Sequence, residues 1–158
     1  MPPSLDWGKS INYFVFRSIM SVVADDVVLG KYQMTKSENF DAFMERLGVG
    51  FITRKLGNQS YPVVTVAKTG EEYSMKTESL VKTSEVKFKI GEPFDELTAD
   101  GRKVVSKMTM SSPNTMVHEM LGTDGGKDSV CIREFLDRTM KCVCHVDDIV
   151  TTRIYERK

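Results

Sequence analysis

The sequence predicts a mainly β fold, namely a ten-stranded antiparallel up-and-down β-barrel that is lidded by two helices. Three observations support this prediction. Beyond residue 62, turn residues recur at roughly ten-residue spacing, which is typical of a strand meander. No segment there keeps a helical period for more than a turn, so no crossover helix is available for parallel pairing. Two short amphipathic helices precede this run.

The first element is a strand over residues 27–35, in which Gly30 marks a bulge or a close approach of backbone. Ser37 can cap the helix that follows, and Gly48 ends it. The apolar residues of this helix recur at the spacing of one helical face and are Phe40, Phe43, Met44 and Leu47.

A second short helix is expected over residues 50–56, closing at Gly57. Its cations, Arg54 and Lys55, fall in the last turn, where they suit the helix dipole. Its apolar residues are Phe51, Ile52 and Leu56.

Turn signals then separate the remaining strands. They fall at 69–70, 79, 91–93, 100–101, 112–114, 124–126, 137–138 and 147–148. An antiparallel sheet of this width closes, because twist and exposed edges disfavour a flat one. A barrel of more than about eight strands has more interior than its side chains fill, so we expect a cavity with the helices across one open end.

The composition describes one soluble domain. At 158 residues, with 41% hydrophobic and 28% charged residues, the chain can bury a core and shows no sign of a membrane span. Lys+Arg and Asp+Glu balance at 22 each, which disfavours a nucleic-acid surface. The helix pair resembles a helix-turn-helix only superficially, because its apolar stripe and the neutral charge favour a lid.

Residues 1–25 form an N-terminal extension, and residues 26–158 form the barrel domain. Three interpretations of the extension stay open: a disordered or loosely docked segment, a translation start upstream of a truer one at Met20, or a targeting or membrane-touching arm. Its apolar run is interrupted by Arg17 and therefore fits a secretory signal poorly.

The three cysteines, Cys131, Cys142 and Cys144, lack the spacing of a disulfide framework, which predicts free thiols and a reducing compartment. Cys142 and Cys144 share a strand face, and His145 points the opposite way. A zinc site would therefore lack its third and fourth ligands, and we expect no metal or cofactor. His118 is alone in sequence, and no nucleophile motif accompanies it, so catalysis is not expected.

One residue trio has the chemistry of a binding site. Arg153 and Tyr155 share a face of the last strand, and Arg133 can reach them from a neighbouring strand. Two guanidinium forks and a phenol suit a single carboxylate. The alternative is an ordinary solvent-facing set, because the other face of that strand, Val150, Thr152 and Ile154, looks more like core.

Several separate motifs resemble those of the intracellular lipid-binding proteins, which have a calycin (lipocalin-like) fold. They are most similar to the motifs of the fatty-acid-binding proteins, and within these to the muscle- and heart-like subgroup. The motifs lie at residues 30–34, 38–44, 47–54, 94–104 and 152–156, and the resemblance extends over residues 26–158.

This resemblance implies a clam-shaped barrel that carries a long-chain fatty acid. The carboxylate would be held by Arg133, Arg153 and Tyr155. The helical lid and portal would fall on Phe40, Phe43, Met44, Val81 and Asp100. The chain departs from the family at Tyr32, where a packing tryptophan is usual, and its 111–127 segment is slightly longer.

The expected function is intracellular carriage of long-chain fatty acids to membranes or enzymes by a cytoplasmic monomer, with the nucleus as an additional location. A retinoic-acid carrier uses the same two-arginine device and stays open as an alternative. A barrel whose main role is membrane contact, with Lys55 and Lys82 near the portal, is a further alternative.

Overall fold

The computed structural model describes residues 27–80 and 82–158. The predicted extension over residues 1–25 and the portal candidate Val81 lie outside this part of the chain. Two helices lie between the first two of ten strands. The helices are α1 (Phe40–Arg46) and α2 (Phe51–Asn58), and the strands are β1 (Gly30–Glu38), β2 (Val63–Thr69), β3 (Glu72–Glu78), β4 (Thr83–Lys89), β5 (Pro93–Leu97), β6 (Lys103–Ser112), β7 (Thr115–Gly122), β8 (Ser129–Phe135), β9 (Thr139–Val146) and β10 (Ile149–Arg157).

All strand pairs are antiparallel, and the strand order is β4-β3-β2-β1-β10-β9-β8-β7-β6-β5. Sequential strands are neighbours, and β1 joins β10, so the sheet curls into a nearly closed barrel. Among the described strands, only the β4 and β5 edges are left without a ladder between them. The predicted ten-stranded meander with an early helix pair is confirmed.

Aromatic rings span the seam between β4 and β5. Phe88 of β4 stacks on Phe94 of β5 with ring centroids 5.9 Å apart, and Tyr73 of β3 stacks on Phe88 at 5.7 Å. The turn between the two strands is fixed separately, because Gly91 N–H donates to Met108 O at 2.7 Å. Side-chain packing therefore holds the seam where backbone hydrogen bonds do not.

Alternation along the strands defines the interior. On β10, Thr151 and Tyr155 are buried, whereas Val150 is 41% exposed. Because side chains two apart share a face, Arg153 lies on the inward face with them. The apparently core-like face of Val150, Thr152 and Ile154 is therefore the outer one.

Tyr32 is fully buried at the base of the barrel. Its ring meets Phe135 edge-on at 5.5 Å, and its hydroxyl donates to Val28 O at 3.1 Å. Arg157 donates to the same hydroxyl at 2.8 Å and to Leu29 O at 2.8 Å. The departure from a packing tryptophan therefore leaves a satisfied polar anchor.

The helix boundaries differ from the prediction. Ser37 is not a helix cap but belongs to β1, and Asn39 takes the N-cap position with φ 60° and no capping side-chain bond. Asn39 instead donates its side-chain N–H to Val150 O at 2.8 Å, so tertiary pairing replaces the local cap. Helix α2 runs through Gly57 to Asn58 rather than closing before it. The first strand begins at Gly30 rather than at residue 27.

The two helices bury different amounts. Helix α1 packs on β9 and β10 and buries Phe43 and Met44. Helix α2 buries no residue, and its Phe51 and Ile52 are 69% and 76% exposed. In the described part of the chain, neither helix has the length and hydropathy that a bilayer crossing requires.

Candidate functional site

Three strands place the predicted arginines in one row across the interior. Arg133 on β8 lies opposite Cys142 on β9, and Cys142 lies opposite Arg153 on β10. Adjacent strands are about 4.8 Å apart, so the two arginine backbones are roughly 10 Å apart and their long side chains can converge on one group. Tyr155 follows Arg153 on the same face.

The guanidinium group of Arg153 lies under the lid. Its Cζ is 4.0 Å from the centroid of the Phe40 ring, a cation–π contact that joins α1 to β10. Its Nε is buried and has no hydrogen-bond partner among the residues that the structure describes. In the described part of the chain, neither Arg153 nor Arg133 lies within 4.0 Å of a carboxylate oxygen.

Tyr155 is almost completely buried beside Arg153. Burial raises the pKa of its phenol, and the charge of Arg153 opposes that rise only in part. The hydroxyl therefore keeps its proton at neutral pH and can donate. Within the described residues it forms no hydrogen bond, so its donor is available.

Arg133 also reaches a second polar group, which sequence reasoning missed. Its Nη1 lies 3.5 Å from His118 Nδ1, and His118 Nε2 lies 2.8 Å from Glu96 Oε2. Ser106 donates its hydroxyl to the same Glu96 oxygen at 2.6 Å. The expectation that His118 is isolated is wrong, because strand pairing brings β5, β6, β7 and β8 side by side.

The protonation states of this cluster follow from its burial and its charges. Burial lowers the pKa of His118, and the charge of Arg133 adds to that effect, although Glu96 opposes it. Burial alone raises the pKa of Glu96, but the hydrogen bonds from His118 and Ser106 and the charge of Arg133 bring it below its ordinary value. At neutral pH the histidine is neutral and the glutamate ionised.

These states fix the direction of each hydrogen bond. His118 donates from Nε2 to Glu96, so its Nδ1 accepts from Arg133. Glu96 offsets the charge of Arg133 through the imidazole. Of these ionised groups, Arg153 is the one positive charge that has no counterion among the described residues.

The predicted lid and portal residues occupy different environments. Phe43 and Met44 are the buried residues of α1, and Phe40 is partly buried over Arg153. Asp100 lies in the β5–β6 turn, where its carboxylate accepts from Arg102 Nε at 2.6 Å. Nearby, Lys82 Nζ donates to Ala99 O at 3.0 Å, which ties the β3–β4 turn to the β5–β6 turn.

The cysteine predictions are corrected. Cys131 on β8 and Cys144 on β9 lie opposite each other and form a disulfide, so only Cys142 is a free thiol. Strand pairing also supplies the third sulfur that a zinc site seemed to lack, and the three Sγ atoms lie within 4.8 Å of one another. The disulfide uses two of them, so these residues as they stand do not fit a metal.

Comparison with known proteins places this geometry in context. Residues 29–158 match the family described as "Lipocalin / cytosolic fatty-acid binding protein family". A fatty acid-binding protein of Tyrophagus putrescentiae is 40% identical over 129 residues, which are 82% of this chain and 96% of the relative. A sodium/calcium exchanger regulatory protein 1 of Doryteuthis pealeii is 38% identical over 128 residues, 81% of this chain and 94% of that protein.

A solved structure of a Schistosoma mansoni fatty acid binding protein in complex with arachidonic acid superposes with a TM-score of 0.81. Its identity to this chain is 38%, and the match covers 85% of this chain and 98% of the other. The calycin-like fold is thereby confirmed. The relatives' names include both a fatty acid-binding protein and an exchanger regulatory protein. The function is therefore inferred from the residues of the site together with the family.

Proposed function

Because the chain belongs to the lipocalin and cytosolic fatty-acid-binding protein family, we propose that it carries long-chain fatty acids inside its barrel. One observation carries this proposal. The Nε of Arg153 is buried beneath the lid, where the guanidinium group contacts Phe40, and among the described residues it has no hydrogen-bond partner and no carboxylate within 4.0 Å, while Tyr155 offers a free donor beside it. A buried N–H of a cation is stabilised by an anionic acceptor, and a fatty acid supplies one together with an apolar chain.

The apolar chain supplies most of the affinity in this proposal. Each buried methylene contributes about 0.8 kcal/mol, so a chain of about sixteen carbons gains on the order of 10 kcal/mol before association costs. Flexible thioethers line the interior and adapt to such a chain. They belong to Met34, Met75, Met108, Met116, Met120 and Met140, all buried.

A retinoid is the second ligand class to test, because the two-arginine device accepts any single carboxylate. The aromatic rings of Tyr73, Phe88 and Phe94 form a wall that is compatible with a conjugated chain. The family comparisons favour the fatty acid, since the protein of a similar solved structure holds arachidonic acid.

We also propose that α2 contacts membranes transiently during transfer. Its Phe51, Ile52 and Leu56 are exposed, and Lys55 is exposed on the same short helix. Exposed apolar side chains beside a cation suit the interface of an anionic bilayer. Lipid carriage stays the main function, and membrane contact serves it.

The remaining parts of the proposal follow the family and the sequence. We propose a monomer without catalytic activity, cofactor or nucleic-acid partner, which acts in the cytoplasm and also in the nucleus. The Cys131–Cys144 disulfide removes the thiol-based argument for a reducing compartment, so the location rests on the family. The muscle- and heart-like subgroup rests on the sequence motifs alone.

The test compares ligands that differ only in their head group. Delipidated wild-type protein and Arg153→Leu are titrated with oleate, methyl oleate and retinoic acid. We expect the wild type to prefer oleate to its ester, and Arg153→Leu to lose most of that preference, since the ester has no charge to pair with the guanidinium group. Arg138→Leu removes an exposed arginine from the β8–β9 turn and serves as the matched control.

Equal affinity of the wild type for oleate and its ester would contradict the carboxylate site. Tighter binding of retinoic acid than of oleate would select the retinoid. No uptake of any ligand, combined with strong binding to anionic vesicles at physiological salt, would make membrane contact the main function.

A further inference from the structure

We propose that the interior contains a second polar subsite, at Glu96, which binds a hydroxyl group on the lipid chain. The protein would then take hydroxylated long-chain fatty acids in preference to their unsubstituted counterparts. This inference rests on the proposed function, because it names a ligand class for the same cavity.

The first support is an acceptor that the protein leaves open. Glu96 is on the inward side of β5 with Phe94, and its side chain is only 9% exposed. Both protein donors, Ser106 and His118, go to its Oε2 at 2.6 and 2.8 Å. Its Oε1 has no hydrogen-bond partner among the described residues. Oε1 is not among the fully buried unpaired atoms of the described residues, so a ligand donor can reach it, and a hydrogen bond to this charged acceptor belongs to the stronger class.

The second support is the chemistry that this acceptor selects. An ionised carboxylate accepts hydrogen bonds and cannot donate them. It repels the carboxylate head group of a fatty acid and directs it toward Arg153. Ethers and ketones offer no donor, whereas a hydroxyl donates to Oε1. The ligand group that fits is therefore an alcohol on the chain.

The third support is the surroundings of the cluster. The His118 ring stacks on Phe94 at 6.4 Å, and Phe94 stacks on Phe88 at 5.9 Å. The polar point is therefore set in an apolar wall that can bury methylenes. Since His118 also contacts Arg133 of the carboxylate row, the two sites lie at a fixed separation. The subsite should favour one hydroxyl position along the chain rather than all positions equally.

The experiment titrates the delipidated full-length protein with stearate, a positional series of hydroxystearates, and the methyl ether of each. The ethers keep the oxygen but remove the donor. We expect one hydroxyl position to bind about tenfold more tightly than stearate and than its own ether, since hydrogen bonds to charged groups are the stronger class.

Glu96→Gln is the test variant. Ser106 and His118 still donate, so the amide oxygen takes the place of Oε2 and the amide nitrogen takes that of Oε1. The group that faces the ligand changes from acceptor to donor, and the hydroxyl should lose its advantage over the ether to within twofold. Glu85→Gln makes the same change at an exposed position of β4 and should keep the wild-type preference.

The outcomes separate this inference from the proposed function. Stearate binding without preference for any hydroxyl position overturns the subsite alone, and a failure to bind stearate overturns both. A hydroxyl preference that survives in Glu96→Gln places the donor contact elsewhere and also overturns it. If Glu96→Gln does not fold, carbon-13 NMR of glutamate carboxyls in the wild type decides: the Glu96 resonance must respond to the hydroxystearate and not to its ether.

Discussion

The two polar regions of the barrel interior satisfy their charges in different ways. In the first, Glu96 accepts from Ser106 and His118 at short range, and the imidazole links it to Arg133. In the second, the guanidinium group of Arg153 lies against the Phe40 ring, and its buried Nε has no hydrogen-bond partner among the described residues. The first cluster is largely paired within the protein, and we propose that an external anion completes the second.

This difference predicts separate consequences for folding and for binding. Members of the paired cluster should stabilise the folded chain, because removing one leaves a buried charge without its partner. Members of the open cluster should stabilise the complex, because their partner arrives with the ligand. Four experiments test this separation.

The largest expected effect is on folding stability. Glu96→Leu should lower the free energy of unfolding by about 3 kcal/mol. It leaves the charge of Arg133 without its compensating carboxylate and leaves the donors of Ser106 and His118 without an acceptor in the interior. Arg153→Leu, the same replacement in the open cluster, should change it by less than about 1 kcal/mol. Urea unfolding of the ligand-free proteins measures both, and similar losses in the two variants would contradict the comparison.

The strand pair between the two regions carries the next effect. The Cys131–Cys144 disulfide spans a sequence separation of 13, so removing both cysteines as serines should cost up to about 3 kcal/mol from loop entropy. Cys142→Ser changes a free thiol on the same strand and is the control. Urea unfolding with and without a thiol reductant checks this: reductant should destabilise the wild type and leave the double variant unchanged.

A smaller effect on binding is expected at Tyr155. Tyr155→Phe removes a donor that has no partner in the described part of the protein, so unfolding should be almost unaffected. Oleate affinity should fall about tenfold, because a hydrogen bond to a carboxylate is lost. Isothermal titration of oleate and methyl oleate measures the effect, and an equal loss for both ligands would show that the ring rather than the hydroxyl matters.

The smallest effect is in the pH dependence of stability. The pKa of His118 is lowered in the folded protein, so below about pH 6.5 the unfolded chain binds a proton that the folded chain does not. The free energy of unfolding should therefore decrease as the pH is lowered, by up to about 1.4 kcal/mol per pH unit for this group. The lowered pKa of Glu96 continues the loss at lower pH, through the range in which that carboxylate takes up its proton.

His118→Gln should flatten the stability profile between pH 7 and the start of carboxylate titration. His145→Gln, on the outer face of β9, is the matched control and should retain the slope. Chemical unfolding at several pH values measures both. A slope that persists in His118→Gln would mean that another group takes up the proton.

Much of the fold could be predicted because its signals are local. Gly91, Gly101 and the other turn residues mark every hairpin, and the two-residue alternation marks each strand. The predicted N-cap of α1 at Ser37 was wrong, because Ser37 belongs to β1 and pairs with Arg153 of β10. That pairing joins distant parts of the chain and leaves no trace in the local pattern.

The site could be predicted only in part for the same reason. Arg153 and Tyr155 are two apart on one strand, so their shared face is a local property. The Glu96–His118 pair spans 22 positions and depends on strand order, which sequence periodicity does not contain. A polar residue at an inward position, as Glu96 is beside Phe94, is the one sequence signal that could have identified it.

The seam between β4 and β5 gives the barrel one soft direction. Every other pair of neighbouring strands is fixed by ladder hydrogen bonds, which break discretely when strands separate. The contact between Phe88 and Phe94 is a stack of rings, whose attraction weakens gradually with distance. The circumference can therefore lengthen at this point without the loss of a ladder hydrogen bond, at the cost of ring stacking and of the Lys82–Ala99 contact.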